Sequence, residues 1–298
     1  MQDKILFIVN PVSGRLALKQ KIWQVVDMFC AAGLVPTLHF TQKKGDAEQL
    51  AKTCGPEYKL VVCAGGDGTL NEVTNGLLKN PVRHTLGYIP VGTTNDLATS
   101  LGIPKGVLAA TKNIIEGNVL QVDVGKFLDR NFNYIASFGA FTEASYLAPQ
   151  EVKNAIGHAA YLIEGIKSIS NIRATKATFT FAEGETVEGN FIFAAVSNTT
   201  SAGGVLKLDP KLVSLTDGLL EVLLIKEPEN LNEFQQIISE LLTQKFTGEL
   251  VQLHHTERVT VKTESPVDWT LDGEHQQGSE TVVIENLHEA IDLIVPKK

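Results

Sequence analysis

The chain has 298 residues, of which 43% are apolar and 20% are charged, proportions typical of a globular protein with a sizeable core. Its formal net charge of −8 argues against broad nucleic-acid binding, which requires a basic surface. The N-terminus lacks the features of a secretion signal, and no apolar run approaches the ~20 residues that cross a bilayer. We therefore expect a cytoplasmic protein. Cys30, Cys54 and Cys63 show no metal-binding spacing and are expected to be buried, reduced thiols.

Predicted strands and helices alternate through the first third of the chain. Short apolar runs predict strands at 5–9, 35–40, 60–64 and 85–89, and helical spacing or flanking turn residues predict helices at 22–30, 46–54, 69–78 and 96–101. This alternation predicts a mainly parallel, doubly wound sheet with helices on both faces, an α/β domain. Such sheets bind ligands where their strands end.

The pattern changes after about residue 117. Strands are predicted at 119–127, 131–138, 174–181, 186–198, 219–226, 258–263, 267–271 and 281–285, with a helix at 231–243. These elements predict a mostly antiparallel, β-rich and sandwich-like second domain. We place the first domain at residues 1–122 and the second at 123–287, with the segment 288–298 as a candidate for return to the first domain.

A glycine-rich segment follows the predicted strand at 60–64 and opens the next helix. This second loop reads Gly65-Gly66-Asp67-Gly68-Thr69. Its glycines permit close backbone approach to a ligand, and the free N–H groups of a helix N-terminus favour phosphate. A carboxylate beside a phosphate requires an intervening cation, so Asp67 indicates Mg²⁺. The alternative is a tight turn capped by Asp67.

Two further loops follow strands of the same predicted sheet. The first loop reads Asn10-Pro11-Val12-Ser13-Gly14, and the third reads Gly92-Thr93-Thr94-Asn95-Asp96. The first is also compatible with an ordinary turn, and in the third Asn95 or Asp96 can serve as a simple helix N-cap. Their shared position at strand ends favours binding. Asp123, near the expected domain boundary, is a third candidate carboxylate for the same metal and water network, or else a surface or turn residue.

These loops, together with Leu70-Asn71-Glu72-Val73, resemble the catalytic domain of the diacylglycerol kinase family, most closely its soluble bacterial lipid kinases. The second loop is shared with NAD kinases, sphingosine kinases and phosphofructokinases, whereas its continuation over 71–76 is more characteristic of lipid kinases. The likeness continues through Ser197-Asn198-Thr199 and Leu271-Asp272-Gly273-Glu274, and so covers essentially the whole chain. It implies an ATP- and Mg²⁺-dependent kinase of a lipid hydroxyl, with diacylglycerol as the first candidate acceptor, and a homodimer.

The resemblance, with the loop analysis above, gives a set of expected ATP-binding residues. They are Asn10, Pro11, Val12, Ser13, Gly14, Thr41, Gly65, Gly66, Asp67, Gly68, Thr69, Leu70, Asn71, Glu72, Thr93, Asn95 and Asp96. The expected catalytic Mg²⁺ and water network includes Asp67, Asp96 and Asp123. By resemblance alone, a second, structural Mg²⁺ is bound by Asp217 and the backbone carbonyls of Ser214 and Leu219; without the family this segment reads as a plain turn.

The resemblance makes Glu274 the general base that takes the proton from the acceptor hydroxyl, with Asp272 as a helper or an alternative base. Without the family, Asp272-Gly273 is a hairpin-turn signal. His275 ranks below Glu274 because neighbouring residues on a strand face opposite sides. His254 and His255, placed just before a predicted strand, are interpreted as surface residues.

Two other classes of function remain open at this point. The chain is alternatively a kinase of another lipid, such as phosphatidylglycerol or a sphingoid base, or of a soluble hydroxyl compound such as NAD. A non-catalytic nucleotide or lipid sensor is less consistent with the sequence, because a sensor has no need of Glu274. A lipid kinase without a membrane span would visit the inner membrane surface peripherally and transiently. Lys167, Arg173 and Lys176 are candidate contacts to anionic headgroups, or an ordinary solvated face.

Overall fold

The computed structural model describes residues 3–13, 17–139, 174–202, 206–246 and 248–297. The chain forms two compact units, the first comprising Met1–Val124 with His288–Lys298 and the second comprising Gly125–Leu287. Within the described ranges, every helix is too short or too polar to cross a bilayer.

The first unit is built on a parallel sheet. Its elements are β1 (Asp3–Val9), α1 (Ala17–Ala31), β2 (Leu34–Phe40), α2 (Asp46–Thr53), β3 (Tyr58–Gly65), α3 (Asp67–Leu78), β4 (Thr85–Pro90), α4 (Asp96–Ser100) and α5 (Val107–Glu116). The strand order is β2-β1-β3-β4, every pair is parallel, and residues 292–293 of the last strand, β17 (Thr281–Val295), pair in parallel with β4. The predicted parallel α/β architecture is confirmed.

The order of these strands determines where a ligand can bind. β1 lies between β2 and β3, so the loops that leave β1 and β3 diverge to opposite sides of the sheet. This topological switch point opens a crevice at the carboxyl ends of the strands. The first and second loops border it. Beneath them, Phe7 of β1 packs edge to face on Phe29 of α1, with ring centroids 5.8 Å apart.

Two details of the first unit differ from the sequence prediction. The helix α5 was not predicted, although Val107, Ala110 and Ile114 repeat at helical spacing and are buried. The prediction of a buried Cys30 is wrong, because that residue is exposed on α1. Cys54 and Cys63 are buried thiols as predicted, and burial raises the pKa of Cys63 well above its ordinary value.

The second unit is antiparallel. Its elements are β5 (Asn118–Phe127, which begins in the first unit), β6 (Arg130–Phe132), β7 (Ile135–Gly139), β8 (Thr175–Phe181), β9 (Thr186–Ser197), β10 (Ser201–Ala202), β11 (Leu206–Lys207), β12 (Leu220–Lys226), α6 (Leu231–Thr243), β13 (Val251–Thr256), β14 (Arg258–Thr263), β15 (Asp268–Leu271), β16 (Glu274–Gln277) and the start of β17. The order is β16-β15-β7-β9-β8-β14-β17, and β12 joins β9 to β13. This confirms the predicted antiparallel, β-rich character.

Aromatic residues form the main core of the second unit. Phe138, Phe179, Phe191 and Trp269 are buried in one cluster, and the Phe138 and Trp269 rings meet edge to face at 4.8 Å. A second cluster includes Leu223 of β12 and Ile237 of α6. The alternation of side chains along the strands therefore supplies two apolar faces.

Two predictions for the second unit are corrected by the structure. The strand predicted at 131–138 is two strands, β6 and β7, separated at Asn133 and Tyr134. His254 lies on β13, which was not predicted, and stacks on Phe181 with ring centroids 4.4 Å apart. Its side chain is only 20% exposed, so its assignment to the surface is wrong, whereas His255 is exposed as expected. The partial burial lowers the pKa of His254.

Candidate active site

The first and second loops are joined directly at the switch point. Asn10 Nδ2 donates to Thr69 Oγ1 at 2.9 Å, and Asn10 Oδ1 accepts from the Val12 N–H at 3.0 Å. Thr41, at the end of β2, is bonded through its N–H to the Val9 carbonyl at 3.0 Å. The loops after β1, β2 and β3 are thus neighbours at one edge of the sheet. Gly14 lies outside the described residues.

Asp67 links the second loop to the third. Its Oδ2 accepts from the Asn95 N–H at 2.8 Å and its Oδ1 from the Asp96 N–H at 3.0 Å. The N-cap position of its own helix, α3, is occupied by Gly66, which has no side chain. The carboxylate instead holds the N-terminus of α4, a contact that neither the metal-binding nor the capping interpretation predicts.

Asn95 closes the third loop on itself. It occupies the N-cap position of α4 in the left-handed region, at φ 53°, but makes no side-chain bond to that helix. Its Oδ1 accepts from the Gly92 N–H at 3.0 Å and from the Tyr88 hydroxyl at 3.1 Å. Asn95 therefore occupies the N-cap position that was considered for it, but its side chain fixes the loop and does not bond to the helix.

Tyr88 is a site residue that the sequence analysis missed, because it lies within the apolar run of β4. Burial raises the pKa of Tyr88 well above its ordinary value, and the negative charges of Asp67 and Asp96 add to this effect. The phenol consequently remains a neutral hydrogen-bond donor.

Two glycines bring the second and third loops into backbone contact. A Cβ atom on Gly92 would overlap the Gly66 Cα atom and lie 2.8 Å from Asn95 Oδ1. Only glycine permits this approach. Gly68 and Thr93 are exposed on the same loops, whereas the Leu70 side chain is fully buried in α3.

Glu72 holds the loop that follows β2. Its Oε1 accepts from the Gly45 N–H at 2.9 Å and its Oε2 from the Ala47 N–H at 3.2 Å, at the start of α2. The neighbouring Asn71 Oδ1 accepts from Asn75 Nδ2 at 3.1 Å. Glu72 therefore connects α3, which begins at the second loop, to the segment that carries Thr41.

Asp123 is buried, not on the surface. It is 1% exposed, and its Oδ1 accepts from His288 Nδ1 at 2.9 Å and from the Glu289 N–H at 2.7 Å. Glu289 adopts φ 49°, which marks a local irregularity within β17. Asp123 thus connects β5 to the returning strand. The sequence offered no signal for His288, because the partner residues are distant in the chain.

In the second unit, Asp272 anchors the turn between β15 and β16. Its Oδ2 accepts from the Asn133 N–H at 2.6 Å, and its Oδ1 accepts from the Tyr134 and Ile135 N–H groups at 3.0 and 3.1 Å. This buried carboxylate satisfies three successive backbone donors. It explains why the strand predicted at 131–138 breaks at this point.

We expect Asp272→Asn to destabilise the protein by about 2–3 kcal/mol, because one carboxylate oxygen becomes an amide that cannot accept a backbone hydrogen bond. Asparagine tolerates the φ of 49° at this position, so backbone strain does not contribute. Urea denaturation followed by circular dichroism measures the change. A variant as stable as the wild type would show that these hydrogen bonds contribute little.

Glu274 lies at the start of β16 beside an arginine. Arg130 Nη2 is 3.4 Å from Glu274 Oε2, and Arg130 Nη1 donates to Gln276 Oε1 at 2.7 Å. Burial alternates along β16, so Glu274 and Gln276 share the half-buried side and His275 is exposed. His275 Nε2 instead approaches Asp268 Oδ1 at 3.3 Å. Arg130 was not identified from the sequence, since nothing local connects it to β16.

The segment expected to hold a structural cation forms a turn after residue 213. Asp217 Oδ1 accepts from the Leu219 N–H at 3.1 Å, and the Leu219 carbonyl accepts from Asn286 Nδ2 at 2.9 Å. Asp217 is exposed, and Ser214 is half-buried. Across the described ranges, no group of three His, Cys, Asp or Glu side chains is arranged to hold a metal by itself.

Two family models match the chain. The diacylglycerol kinase catalytic domain matches residues 4–127, and the YegS C-terminal NAD kinase beta sandwich-like domain matches residues 136–295. The chain is 36% identical to the diacylglycerol kinase of Bacillus subtilis (strain 168), over 98% of this chain and 96% of that protein.

Solved structures share the fold. A diacylglycerol kinase from Bacillus anthracis str. Sterne aligns with a TM-score of 0.76 and 23% identity, over 98% of this chain and 97% of that one. Yeast NADH kinase aligns with a TM-score of 0.54 and 13% identity, over 100% of this chain and 84% of that one. The family models and the Bacillus subtilis relative therefore establish that the chain belongs to the diacylglycerol kinase family and is a kinase that phosphorylates an alcohol group.

Proposed function

We propose that this kinase transfers the γ-phosphoryl group of ATP, with Mg²⁺, to the free hydroxyl of diacylglycerol and so produces phosphatidic acid. The proposal rests mainly on two hydrogen bonds that join the three strand-end loops. Asn10 bonds to Thr69, and Asp67 bonds to the N–H of Asn95. Backbone N–H groups and glycines at a switch point suit a nucleotide phosphate. The relatives named diacylglycerol kinase support the acceptor.

The first unit is proposed to bind ATP. The first, second and third loops provide the phosphate contacts, and the loop carrying Thr41 provides a further contact. Glu72 acts on that loop through the N–H groups of Gly45 and Ala47. Positioning and electrostatic stabilisation are the main sources of catalysis in phosphoryl transfer, so the rigidity of these loops is a functional requirement.

The residues present fit a Mg²⁺ ion that is held mainly by phosphate and water. Asp67 supplies one carboxylate at the strand ends, where the backbone N–H groups of Asn95 and Asp96 hold it in place. Mg²⁺ usually keeps several waters and binds one or two carboxylates with substrate phosphates. Asp67 would hold it directly or through water, with Asp96 and Asp123 acting only through water because the described side chains form no cluster of three that could hold a metal, and the ion would neutralise phosphate charge. We also propose that Ser214, Asp217 and Leu219 bind a second, structural Mg²⁺.

The second unit is proposed to receive the lipid. Glu274 is the group assigned to take the proton from the acceptor hydroxyl, a task worth about 10²–10⁴ in rate. Its half-buried position beside Arg130 keeps it accessible and oriented. Asp272 supports it by fixing the turn rather than by exchanging protons, because its oxygens already accept three backbone N–H groups.

The acceptor lipid implies a peripheral, transient visit to the inner membrane surface. Of the three cations considered for headgroup contact, Lys176 pairs with Glu264 at 3.0 Å, and Lys167 and Arg173 lie outside the described residues. Homodimer formation is a further proposal, which light scattering of the purified protein tests directly.

ADP release measured with different acceptors tests the proposed function. We expect the highest kcat/KM with diacylglycerol in mixed micelles, and little activity with phosphatidylglycerol, a sphingoid base or NAD. NAD is included because yeast NADH kinase shares the fold. A clear preference for NAD would replace the lipid assignment with a soluble acceptor.

We expect Gly92→Ala to raise the KM for ATP by roughly tenfold, about the effect of one lost hydrogen bond. The added methyl group overlaps the Gly66 backbone and separates the second and third loops. The matched control is Gly106→Ala, since a Cβ atom there lies 3.8 Å from its nearest neighbour, Ala109 Cβ. Equal KM values for the two variants would contradict a phosphate site between these loops.

A further inference from the structure

A buried asparagine beside the Asp272 turn has an unused carboxamide. Asn133 is 2% exposed, and in the part of the chain that the structure describes neither its Oδ1 nor its Nδ2 has a hydrogen-bond partner. Buried side-chain polar groups are normally paired, and an unpaired one costs stability. An apolar residue of similar size would avoid that cost, so the carboxamide at this position calls for a ligand or a function.

The position of Asn133 connects it to the proposed acceptor site. Its own N–H donates to Asp272 Oδ2 at 2.6 Å, and Asp272 belongs to the turn that leads into Glu274. The next residue, Tyr134, places its hydroxyl 3.8 Å from where a Cβ atom on Gly273 would lie. The Asn133 backbone and the Tyr134 hydroxyl therefore lie next to the turn that carries the candidate base, and Asn133 also carries the unpaired carboxamide.

We propose that the Asn133 carboxamide recognises the polar backbone of the acylglycerol acceptor. This inference rests on the proposed function. A carboxamide offers one donating and one accepting group in a single plane. An acylglycerol with a free hydroxyl offers the matching pair, an ester carbonyl that accepts and a hydroxyl that donates. Pairing of the ester carbonyl with Asn133 Nδ2 would fix the glycerol backbone near Glu274 and select ester-linked lipids.

The test compares diacylglycerol with a dialkylglycerol, which keeps the hydroxyl and lacks the ester carbonyl. A site built to hydrogen-bond a substrate group rejects an analogue that lacks the group, so we expect wild-type kcat/KM to favour the ester lipid by about 10–100-fold. Asn133→Leu should remove this preference by lowering kcat/KM for diacylglycerol while leaving kcat/KM for the dialkylglycerol unchanged. A double-mutant cycle that combines the residue change with the lipid change measures this coupling. The KM of this variant for ATP should not change.

Thermal unfolding and a matched variant separate recognition from structure. Thr74 on α3 also has a buried side-chain oxygen without a partner within the described residues, and Thr74→Val should keep the ester preference. Asn133→Leu should unfold at or above the wild-type temperature, because two unpaired buried atoms are removed. If that variant does not fold, Asn133→Ser, which is too short to reach the same partner, takes its place.

Three outcomes would overturn the inference. Wild-type enzyme that uses both lipids equally has no ester recognition to assign. If Asn133→Leu keeps the ester preference, the Asn133 carboxamide does not contact the acceptor, and a buried water is its partner instead. Wild-type enzyme that phosphorylates neither lipid but uses NAD contradicts the proposed function itself. The second outcome contradicts only the role of Asn133.

Discussion

Asp67→Asn is expected to lower kcat by about 10²–10³-fold, the range seen when one preorganised electrostatic group is removed from an active site. The substitution removes the negative charge that would hold Mg²⁺ beside the phosphates. It also replaces one of the two oxygens that accept the Asn95 and Asp96 N–H groups. The chemical and the positioning contributions of Asp67 are therefore lost together.

Steady-state kinetics at saturating ATP and Mg²⁺ measures this effect. The matched control is Glu233→Gln in the second unit, because that carboxylate also accepts two hydrogen bonds, from the Glu229 N–H at 2.8 Å and from Asn230 Nδ2 at 3.1 Å. That variant is expected to stay within about threefold of wild-type kcat, since exposed loop contacts contribute little. A similar loss in both variants would mean that Asp67 acts only by holding its loop.

Glu274→Gln is expected to lower kcat by about 10²–10⁴-fold, the usual contribution of a general base. Glutamine has nearly the same shape and keeps an oxygen that can accept from Arg130, so the fold should be unaffected. Glu274 is half-buried and its Oε2 lies 3.4 Å from Arg130 Nη2, an ion-pair geometry that contributes little to stability. The expected loss is therefore in kcat, with an unchanged melting temperature.

Two neighbouring variants make the assignment of Glu274 specific. His275→Gln should leave kcat close to the wild-type value, because His275 is exposed and meets Asp268 instead. Asp272→Asn should show its main effect in the free energy of unfolding. Near-normal turnover by Glu274→Gln would remove Glu274 from the base role and direct attention to other groups of the second unit.

The loops that contain the first half of the candidate site could be located from the sequence, because that inference needs only local patterns. Apolar runs predicted β1, β3 and β4, and parallel strands must place their carboxyl ends at one edge. The glycines at 66 and 92 then follow from the need for close backbone approach. Near residue 117 the sequence changes from alternating strands and helices to mostly strands. This change predicted a parallel first unit and an antiparallel second unit.

The contacts that organise the site could not be predicted, because each depends on residues far apart in the chain. Tyr88 lies within an apolar strand, and only the structure pairs it with Asn95. Arg130 and Glu274 come together only through the pairing of the strands. The break between β6 and β7 has no local signal, since its cause is the carboxylate of Asp272.

Label transfer from γ-³²P-labelled ATP tests the central claim most directly. Wild-type enzyme is incubated with diacylglycerol micelles and Mg²⁺, in parallel with Asp67→Asn, with Glu274→Gln and with wild-type enzyme in excess EDTA. The expected result is labelled phosphatidic acid from wild-type enzyme with Mg²⁺, and about one hundredth of that label or less in the other three reactions. Labelled NADP in place of phosphatidic acid when both acceptors are offered, or full transfer by either variant, would contradict it.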